Sequence, residues 1–424
     1  MVQTITKSQK IIFLVAGAII LIIVLMALGI LPGLKSYQKK SSSQLPAATL
    51  EFWGVDDYDA FKSILENYQT VHSNITIHYR QINRNEYESQ LLDALAAQKG
   101  PDALMIKHSW IPKHYNKLYP SSILLKDLKA TFVDVVANDL YYQGKVWALP
   151  LWVDTLALYY NKDLFNTAGI AVPPATWDEF IKDVQLLTKK SATNEIIQAG
   201  AALGTINNIE NAVDIVLLLM MHNNQKIVDA DGRGTFDTTN GTNAVNFYLS
   251  FANPMSPNYC WNQNFSNAIE AFSQNKVAMI IDYSSAIKTL ESLNAYLNYG
   301  IAPLPQPTNS LTKQNYSNYW AFAVSATSKN PQIAWDFVYY LVNNGAVDYL
   351  NKTFRPAANR VLIQSCKSDE KLGIFCEQGL TAKSWFQLNP EKNTQILKNM
   401  LESIISGRSN VINALSQASQ LINR

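Results

Sequence analysis

The stretch that decides the fold runs from residue 143 to residue 180, QGKVWALPLWVDTLALYYNKDLFNTAGIAVPPATWDEF. Its segment Thr155–Tyr160 is apolar or aromatic on both alternating faces, which is typical of a strand covered on both sides, as in a parallel sheet with helices above and below. The Pro-Pro pair at 173–174 then excludes a regular element. Thr176 and Glu179 have the spacing of a capping box at the start of a helix. The stretch predicts a strand followed by helices, with aromatic and acidic side chains at the strand end.

Strand and helix patterns also alternate before this stretch. Residues 49–53 and 75–79 alternate apolar and polar side chains, which is typical of half-buried strands. Residues 58–73, between them, carry apolar side chains at helical spacing. A second amphipathic helix over 86–98 and a short strand over 103–106 follow. This order predicts an α/β fold with short right-handed crossovers.

The order Gly-x-x-Trp-x-x-Pro, then Asp-Thr-x-x-x-Tyr-Tyr-Asn-Lys-Asp-x-Phe, then Pro-Pro-x-Thr-Trp-x-Glu-Phe resembles the extracellular solute-binding proteins of ABC importers, in the maltose-binding-protein-like branch called family 1. Later segments resemble the same family: AFSQNKVAMII at 271–281, WAFAVS at 320–325 and RPAANR at 355–360. Asn275 stands in the first of these where the family often has Gly. The resemblance covers residues 49–424 and implies a periplasmic-binding-protein-like fold of two α/β lobes with a hinge and an interlobe cleft.

The length of the chain after residue 48 exceeds one ordinary core, which also favours two lobes. We expect lobe 1 to contain residues 49–153 and 304–345. We expect lobe 2 to contain residues 154–303 and 346–424. The chain would then cross between the lobes near three segments, and closure about them would bury a ligand. These segments are Trp152–Thr155, Ala302–Pro305 and Asn343–Gly345.

The N-terminus predicts a membrane anchor. Residues 11–31 form a continuous uncharged run, which at about 1.5 Å per residue spans roughly 30 Å of hydrocarbon. The alternative is a cleaved signal peptide, whose apolar core is normally shorter. The first cysteine is Cys260, so a lipoprotein-type cysteine anchor is excluded. Residues 1–10 would form a short arm and residues 32–48 a polar linker to an extracytoplasmic domain.

Charge and composition indicate a soluble ectodomain without affinity for nucleic acid. The net charge is +2, and the five lysines of residues 1–50, which contain no acid, leave −3 for the remainder. Outside the cytoplasm a disulfide is plausible. Cys366 and Cys376 enclose a polar loop that a bridge closes readily, and we predict this pair; three free thiols are the alternative. We expect a monomer.

The sequence contains no recognisable catalytic or metal-binding motif. The five histidines lack zinc spacing, and His108 and His114 are interpreted as polar surface residues. There is no nucleophile elbow and no phosphate-binding loop. A glycosidase would need a pair of carboxyl groups that nothing in the sequence selects. We therefore expect no enzyme activity, no cofactor and no metal.

Aromatic and acidic residues recur where strands are predicted to end, and carboxyl ends of strands form the ligand crevice of α/β lobes. Flat aromatic faces stack on the apolar face of a sugar ring, and carboxylates accept hydrogen bonds from its hydroxyls. The predicted ligand-binding residues are Trp53, Asp57, Asp102, Trp110, Trp152, Asp154, Asp282, Tyr283, Trp320, Arg355 and Trp385. The resemblance adds the last three of them.

Several of these residues have an alternative role. Asp57 and Asp102 also suit helix or turn caps, and Trp53 suits packing between lobes. Tyr160, Trp177 and Trp335 are predicted to be packing residues rather than ligand contacts.

The resemblance implies capture of a small solute, with a sugar or oligosaccharide favoured, and its delivery to the permease subunits of an ABC transporter. Two alternatives remain at this point. One is a membrane-tethered carbohydrate-active enzyme, and the other is a sensor or adhesion module that reports the ligand to a partner.

Overall fold

A computed structural model describes residues 45–424. The predicted arm, the anchor over residues 11–31 and most of the linker lie outside the described residues. Within residues 45–424, no helix has the length and apolar character needed to cross a membrane. Residues 48–424 form a compact unit of their own.

The strands are numbered in chain order. They are β1 (Ala48–Gly54), β2 (Ile75–Gln81), β3 (Ala103–Lys107), β4 (Leu118–Tyr119), β5 (Tyr141–Tyr142), β6 (Lys145–Val146), β7 (Ala148–Pro150), β8 (Asp154–Thr155), β9 (Ala157–Asn161), β10 (Lys189–Lys190), β11 (Ile196–Gln198), β12 (Met279–Asp282), β13 (Tyr299–Ala302), β14 (Asn315–Asn318), β15 (Trp320–Ser325) and β16 (Ala382–Lys383).

The α-helices are numbered in the same way. They are α1 (Tyr58–Val71), α2 (Arg84–Ala96), α3 (Ile111–His114), α4 (Leu125–Thr131), α5 (Asp134–Leu140), α6 (Lys162–Ala168), α7 (Trp177–Leu187), α8 (Ala212–His222), α9 (Thr239–Ser250), α10 (Ala268–Ser273), α11 (Ala286–Leu293), α12 (Pro331–Tyr340), α13 (Ala346–Thr353), α14 (Arg360–Cys366), α15 (Gly373–Gly379), α16 (Pro390–Ile405) and α17 (Val411–Leu421).

The first sheet has the strand order β2-β1-β3-β15-β4, and β7 also pairs with β15. Strands β1, β2 and β3 are parallel, as the alternating pattern of strands and helices predicts. Strand β15 returns from late in the chain and runs antiparallel to β3, with Trp320 opposite Lys107. All residues of β15 are buried, so this late strand forms the middle of the sheet.

The second sheet has the order β12-β9-β13. Strand β9 comes from the stretch that opened the sequence analysis, and its residues Ala157, Leu158 and Tyr159 are all fully buried. Both neighbours run antiparallel to β9, so the expectation of a parallel sheet at this strand is wrong. Burial on both faces indicates how the strand is covered but leaves the direction of its neighbours open. Asn275, just before β12, has a φ of 57°, a left-handed conformation that explains why Gly suits this position.

The helix starts follow local chemistry. Thr176 accepts a hydrogen bond from the backbone N–H of Glu179, and the Glu179 carboxylate accepts one from the N–H of Thr176. This reciprocal pair confirms the predicted capping box. Trp177 and Trp335 are buried, in agreement with their predicted packing roles.

The chain passes between the two sheets near two of the predicted crossings. Residues 151–156 connect β7 to β9 through β8, and residues 303–319 return from β13 to β15 through β14. Within these connections β8 and β14 pair with each other, with Ser317 opposite Thr155. The connections therefore form a small sheet of their own, which β16 extends.

The third predicted crossing, Asn343–Gly345, lies within a helical segment. These residues continue α12 into α13 as one π-helical turn, and α13 packs on α1. The ring of Tyr349 lies 5.3 Å from the ring of Phe61, because the apolar face of α13 completes the core around the first sheet. The chain leaves this core later, where Trp152 forms a β-bridge with Ala357. Helix α13 therefore belongs with the first sheet, although it lies in the range predicted for lobe 2.

Cys366 and Cys376 form a disulfide that joins α14 to α15, as predicted. Cys260 is a buried free thiol, and burial raises its pKa to about 12. At neutral pH Cys260 is therefore a protonated, unreactive side chain.

Candidate functional site

A cavity of about 200 Å³ lies beyond the carboxyl end of β3. One wall comes from the turn after β3 and from α5, and the opposite wall comes from the segment after β16. Two further cavities, of about 30 and about 370 Å³, adjoin it, and Trp385 lines all three. The first cavity is lined by His108, Ser109, Pro112, Asn138, Asp139, Tyr142, Ser384, Trp385, Phe386 and Gln387. We call these residues the cleft.

The polar centre of the cleft is built around Asp139, on the last turn of α5. The Nδ1 atom of His108 lies 2.9 Å from Asp139 Oδ2, and the Tyr319 hydroxyl donates to the same oxygen at 2.8 Å. The His108 ring stacks on Tyr319 with centroids 4.4 Å apart. Ser384, from the opposite wall, donates to the other oxygen of Asp139. Asp139 thus joins the two walls of the cleft.

His108 and His114 are both 5% exposed, so their interpretation as surface residues is wrong. Each has a carboxylate partner, Asp139 for His108 and Glu88 for His114, at 2.9 and 2.6 Å. These partners come from separate helices, and nothing near the histidines in the sequence indicates them.

Ser109 provides an unused hydrogen-bonding group. Its residue is 6% exposed, and its hydroxyl has no hydrogen-bond partner among the described residues. It lines both the cavity of about 200 Å³ and the smaller one beside it. A buried hydroxyl without a partner costs about 1–3 kcal/mol, so this position favours a ligand group that would complete the hydrogen bond.

Trp385 and Asp214 lie on the other side of the smaller cavity. The indole N–H of Trp385 donates to the Tyr316 hydroxyl at 3.2 Å. Asp214, on α8, accepts a hydrogen bond from the Tyr283 hydroxyl at 2.7 Å. Burial raises the pKa of Asp214 above its ordinary value, although Tyr283 and the charge of Lys107 act in the opposite direction. Tyr283 therefore reaches the site through Asp214 and does not itself line the cavities described here.

Trp110 and Trp320 lie behind the cleft rather than on its surface. Their rings pack edge to face with centroids 5.2 Å apart, and both residues are less than 10% exposed. The Trp110 indole N–H donates to the carboxylate of Glu391, the first acidic residue of α16. Lys113 donates to the same carboxylate at 2.8 Å. These two contacts form a second connection between the walls of the cleft.

Arg355 and Trp152 form a separate cluster near the crossings. The Arg355 guanidinium lies over the Trp152 ring at 4.3 Å and makes two hydrogen bonds to Asp56. Burial acts to raise the pKa of Asp56, but the charge and hydrogen bonds of Arg355 and the hydrogen bond from Tyr349 hold it below its ordinary value. Both terminal nitrogens of Arg355 are therefore bonded to protein groups, and the residue also lines a separate cavity of about 270 Å³.

Asp154 and Asp282 are also held by protein groups. Asp154 is 4% exposed and accepts hydrogen bonds from the backbone of Thr155 and from the backbone and hydroxyl of Ser284. Burial outweighs these donors and raises the pKa of Asp154 to about 6. Asp282 accepts from the Asn211 amide at 2.7 Å, and burial raises its pKa to about 7.

Asp102 and Asp57 lie away from the cleft. Asp102 precedes β3, at the opposite end of that strand from His108, where it accepts hydrogen bonds from the Glu51 backbone and the Ser328 hydroxyl. Strand β3 begins after Asp102, as the strand predicted over 103–106 does, so Asp102 lies at the amino end of this strand and not at its carboxyl end. Asp57 is exposed and accepts a hydrogen bond from Gln81.

Trp53 lies one residue before the carboxyl end of β1 and is 5% exposed. Arg80 lies over its ring at 4.6 Å. None of the cavities described here is lined by Trp53, which matches the packing alternative for this residue.

Of the predicted ligand-binding residues, Trp385 therefore lines the cleft. Trp110, Trp320 and Tyr283 lie behind the residues that line the cavities. Sequence reasoning missed His108, Ser109 and Asp139 as cleft residues and Asp214 as a residue of the smaller adjoining cavity. Among residues 45–424, no group of three or more His, Cys, Asp or Glu side chains has the arrangement of a metal site.

The model of the family described as bacterial extracellular solute-binding protein matches residues 53–348. Among curated proteins, a putative binding protein of Brucella abortus (strain 2308) is 24% identical over 74% of this chain and 76% of its own. The maltotriose-binding protein of Pyrococcus abyssi is 24% identical over 69% of this chain and 61% of its own. The melibiose/raffinose/stachyose-binding protein MelE of Bacillus subtilis is 27% identical over 65% of each chain.

Solved structures share the fold. The sugar-binding protein MalE of Xanthomonas citri superposes with a TM-score of 0.74 at 19% identity, covering 88% of this chain and 96% of that one. The GacH receptor of Streptomyces glaucescens gives a TM-score of 0.73 at 20% identity, covering 88% and 97%. The family and these relatives are binding proteins rather than enzymes. The match over most of the residues that form the two sheets and the cleft shows that this chain belongs to the bacterial extracellular solute-binding proteins, in their maltose-binding-protein-like branch.

Proposed function

We propose that this chain captures a sugar or oligosaccharide in the cleft around Trp385 and delivers it unchanged to the permease of an ABC transporter. The observation that carries the proposal is the unpartnered Ser109 hydroxyl, buried in the same cavity that Asp139 and Trp385 line. The names of the relatives from Pyrococcus abyssi and Bacillus subtilis, which bind maltotriose and melibiose, raffinose or stachyose, support the same class of solute.

The groups around the cavity suit a sugar. Tyr142, Trp385 and Phe386 offer flat aromatic faces for the apolar C–H face of a sugar ring. Asn138 and Ser109 offer hydrogen-bonding groups for its hydroxyls. Binding needs no proton transfer, so the ligand leaves chemically unchanged.

The proposed mechanism is closure of two lobes. The first sheet, with its helices, would form one lobe, and the second sheet with α8 and the C-terminal helices would form the other. Three bonds connect the walls of the cleft in this structure: Ser384 to Asp139, and Trp110 and Lys113 to Glu391. A ligand that contacts both walls would shift the equilibrium towards the arrangement in which these bonds form.

We further propose that residues 11–31 anchor the protein as a transmembrane helix, with residues 32–48 as a linker to the extracytoplasmic domain. The uncharged run and its length support this arrangement. A tether of this kind would keep the binding domain near a permease in the same membrane.

The test is isothermal titration of residues 45–424 with a panel of maltotriose, melibiose, raffinose and stachyose, combined with small-angle scattering. We expect at least one saccharide to bind with 1:1 stoichiometry, to reduce the radius of gyration and to be recovered intact. Absence of binding by the whole panel, or recovery of cleaved products, would contradict the proposal.

A further inference from the structure

A cavity of about 290 Å³ lies outside the cleft and shares no lining residue with the three cavities around Trp385. It is bounded by the segment before α7, the connection after β13, the start of β14 and helix α15. Its walls are mainly apolar, with Pro173, Pro174, Leu304, Ile374 and Leu380 among them. The cavity therefore lies beside the chain segments that connect the two sheets.

One buried polar atom in this cavity has no partner. Asn315 is 2% exposed, and its side-chain oxygen Oδ1 has no hydrogen-bond partner among the described residues. The assignment of that oxygen follows from its neighbour Thr381. The Thr381 hydroxyl donates its single hydrogen to the Gln378 carbonyl oxygen at 3.2 Å, so it can only accept from Asn315 Nδ2 at 2.8 Å. The amide oxygen of Asn315 is thus a free acceptor.

The other buried polar side chain of the cavity is satisfied. The Gln378 amide donates to the Thr155 hydroxyl and the Leu156 carbonyl oxygen, and its own oxygen accepts from the Leu304 N–H at 2.9 Å. Lys313 and Glu377 line the cavity too, but both are exposed and of opposite charge. Neither sign of charge is therefore favoured inside the cavity, and the Asn315 oxygen is a buried acceptor without a partner in a mainly apolar lining.

We propose that this cavity is a second ligand site, which takes a small, uncharged, mainly apolar molecule with a single N–H or O–H donor. The donor would bond to Asn315 Oδ1, which would remove the cost of a buried acceptor without a partner. The apolar body would cover the prolines, Leu304 and Ile374. This site is independent of the proposed sugar binding in the cleft.

The test uses indole and 1-methylindole, in which a methyl group replaces the hydrogen of the N–H donor. Residues 45–424 contain the whole compact unit and are titrated with each probe by calorimetry. We expect saturable 1:1 binding of indole and roughly fivefold weaker binding of 1-methylindole, as expected for the loss of one neutral hydrogen bond. Equal affinity for the two probes, or absence of saturable indole binding, would overturn the proposal.

Two matched variants locate the site. Ala175 is exposed and lines the cavity, and only its backbone makes hydrogen bonds, so Ala175→Trp fills the cavity from its rim without removing a contact. Ala171 is exposed in the same loop but does not line the cavity. We expect Ala175→Trp to abolish indole binding and Ala171→Trp to retain it, with the same melting temperature for both. Unchanged indole binding in Ala175→Trp would place the indole elsewhere, for example in the cleft, and would refute the second site.

Discussion

Arg355 binds Asp56 through both terminal nitrogens of its guanidinium, each 2.8 Å from a separate carboxylate oxygen, across 299 residues of sequence. Both side chains are less than 15% exposed. The bond fixes the segment after α13 to the loop after β1, and Trp152 covers the guanidinium from the other side. The point where the chain leaves the first core is therefore held by a buried charge pair.

Removal of Arg355 is expected to be strongly destabilising. Arg355→Ala leaves the Asp56 carboxylate buried without its main partner, so we expect the free energy of unfolding to fall by about 3–5 kcal/mol. The matched control is Arg360→Ala, because Arg360 pairs with Asp134 at the surface, where 71% of the Asp134 side chain is exposed. Its loss should cost less than about 1 kcal/mol. Urea denaturation measures both values, and equal losses would argue against a special role for the buried pair.

Trp385 is expected to carry much of the affinity for the sugar. Trp385→Ala removes the aromatic face that lines the cleft and both adjoining cavities, so we expect the Kd to rise by about tenfold or more. Trp385→Phe should recover part of the loss because it retains a flat ring. The control is Tyr296→Ala, which removes an aromatic side chain that is 97% exposed. Calorimetry with the sugar that binds best decides the outcome, and an unchanged Kd in Trp385→Ala would place the sugar elsewhere.

Substitution of Ser109 is expected to weaken sugar binding without lowering stability. Since its hydroxyl has no partner among the described residues, Ser109→Ala should leave the free energy of unfolding unchanged or raise it slightly. The same variant should weaken sugar binding by roughly fivefold, because the ligand loses one hydrogen bond. Thermal melting and calorimetry on one preparation test both statements. A destabilised variant with unchanged affinity would show that the hydroxyl serves the fold.

Titration of Asp154 is expected to make the free energy of unfolding depend on pH. Burial raises its pKa from 3.8 to about 6, so between these values the folded state binds more protons than the unfolded state. Stability is then lost as the pH rises through this window. Asp154→Asn should remove this dependence, so its stability relative to the wild type should rise between pH 4 and pH 7 by about 1–3 kcal/mol.

Ser284→Ala provides the opposite change at the same site. It removes the hydroxyl that donates to Asp154 at 2.6 Å and favours the charged form. We expect the decrease of stability with pH to become larger in this variant. Chemical denaturation at a series of pH values tests both variants, and parallel pH profiles for the wild type and Asp154→Asn would contradict the assignment.

Reduction of the Cys366–Cys376 bond is expected to lower the free energy of unfolding by about 2–3 kcal/mol. The two residues are separated by 10 positions, and the estimate follows from the entropy of closing a loop of that size. A phosphine reductant should lower the melting temperature of the wild type and leave that of Cys366→Ser unchanged. Since Cys260 is buried and unreactive, it should not contribute. Equal melting temperatures with and without the reductant would contradict the expected stabilisation.

The sequence predicts those parts of the fold that depend on local chemistry. Strands β1 and β2 and the capping box at Thr176 follow from alternation and capping within a few residues. The direction of β9 relative to its neighbours does not follow from the local sequence. It depends on β12 and β13, which lie more than a hundred residues further along the chain. Tertiary pairing thus decides what the local pattern leaves open.

The cleft was predictable only in part, for the same reason. His108, Asp139 and Asp214 come from a turn and two helices, and no spacing in the sequence connects them. Trp385 was identified through the family resemblance. Asp102 lies directly before β3, at the opposite end of that strand from His108.

The late position of β15 in the chain affects the order of folding. Strand β3 has β15 as a central neighbour, so a nascent chain that ends before Trp320 lacks the interior of the first sheet. The strands of the second sheet all lie between residues 157 and 302. We therefore expect the strands of the second sheet to pair before those of the first during synthesis, while the N-terminal strands wait for a contact of high sequence separation.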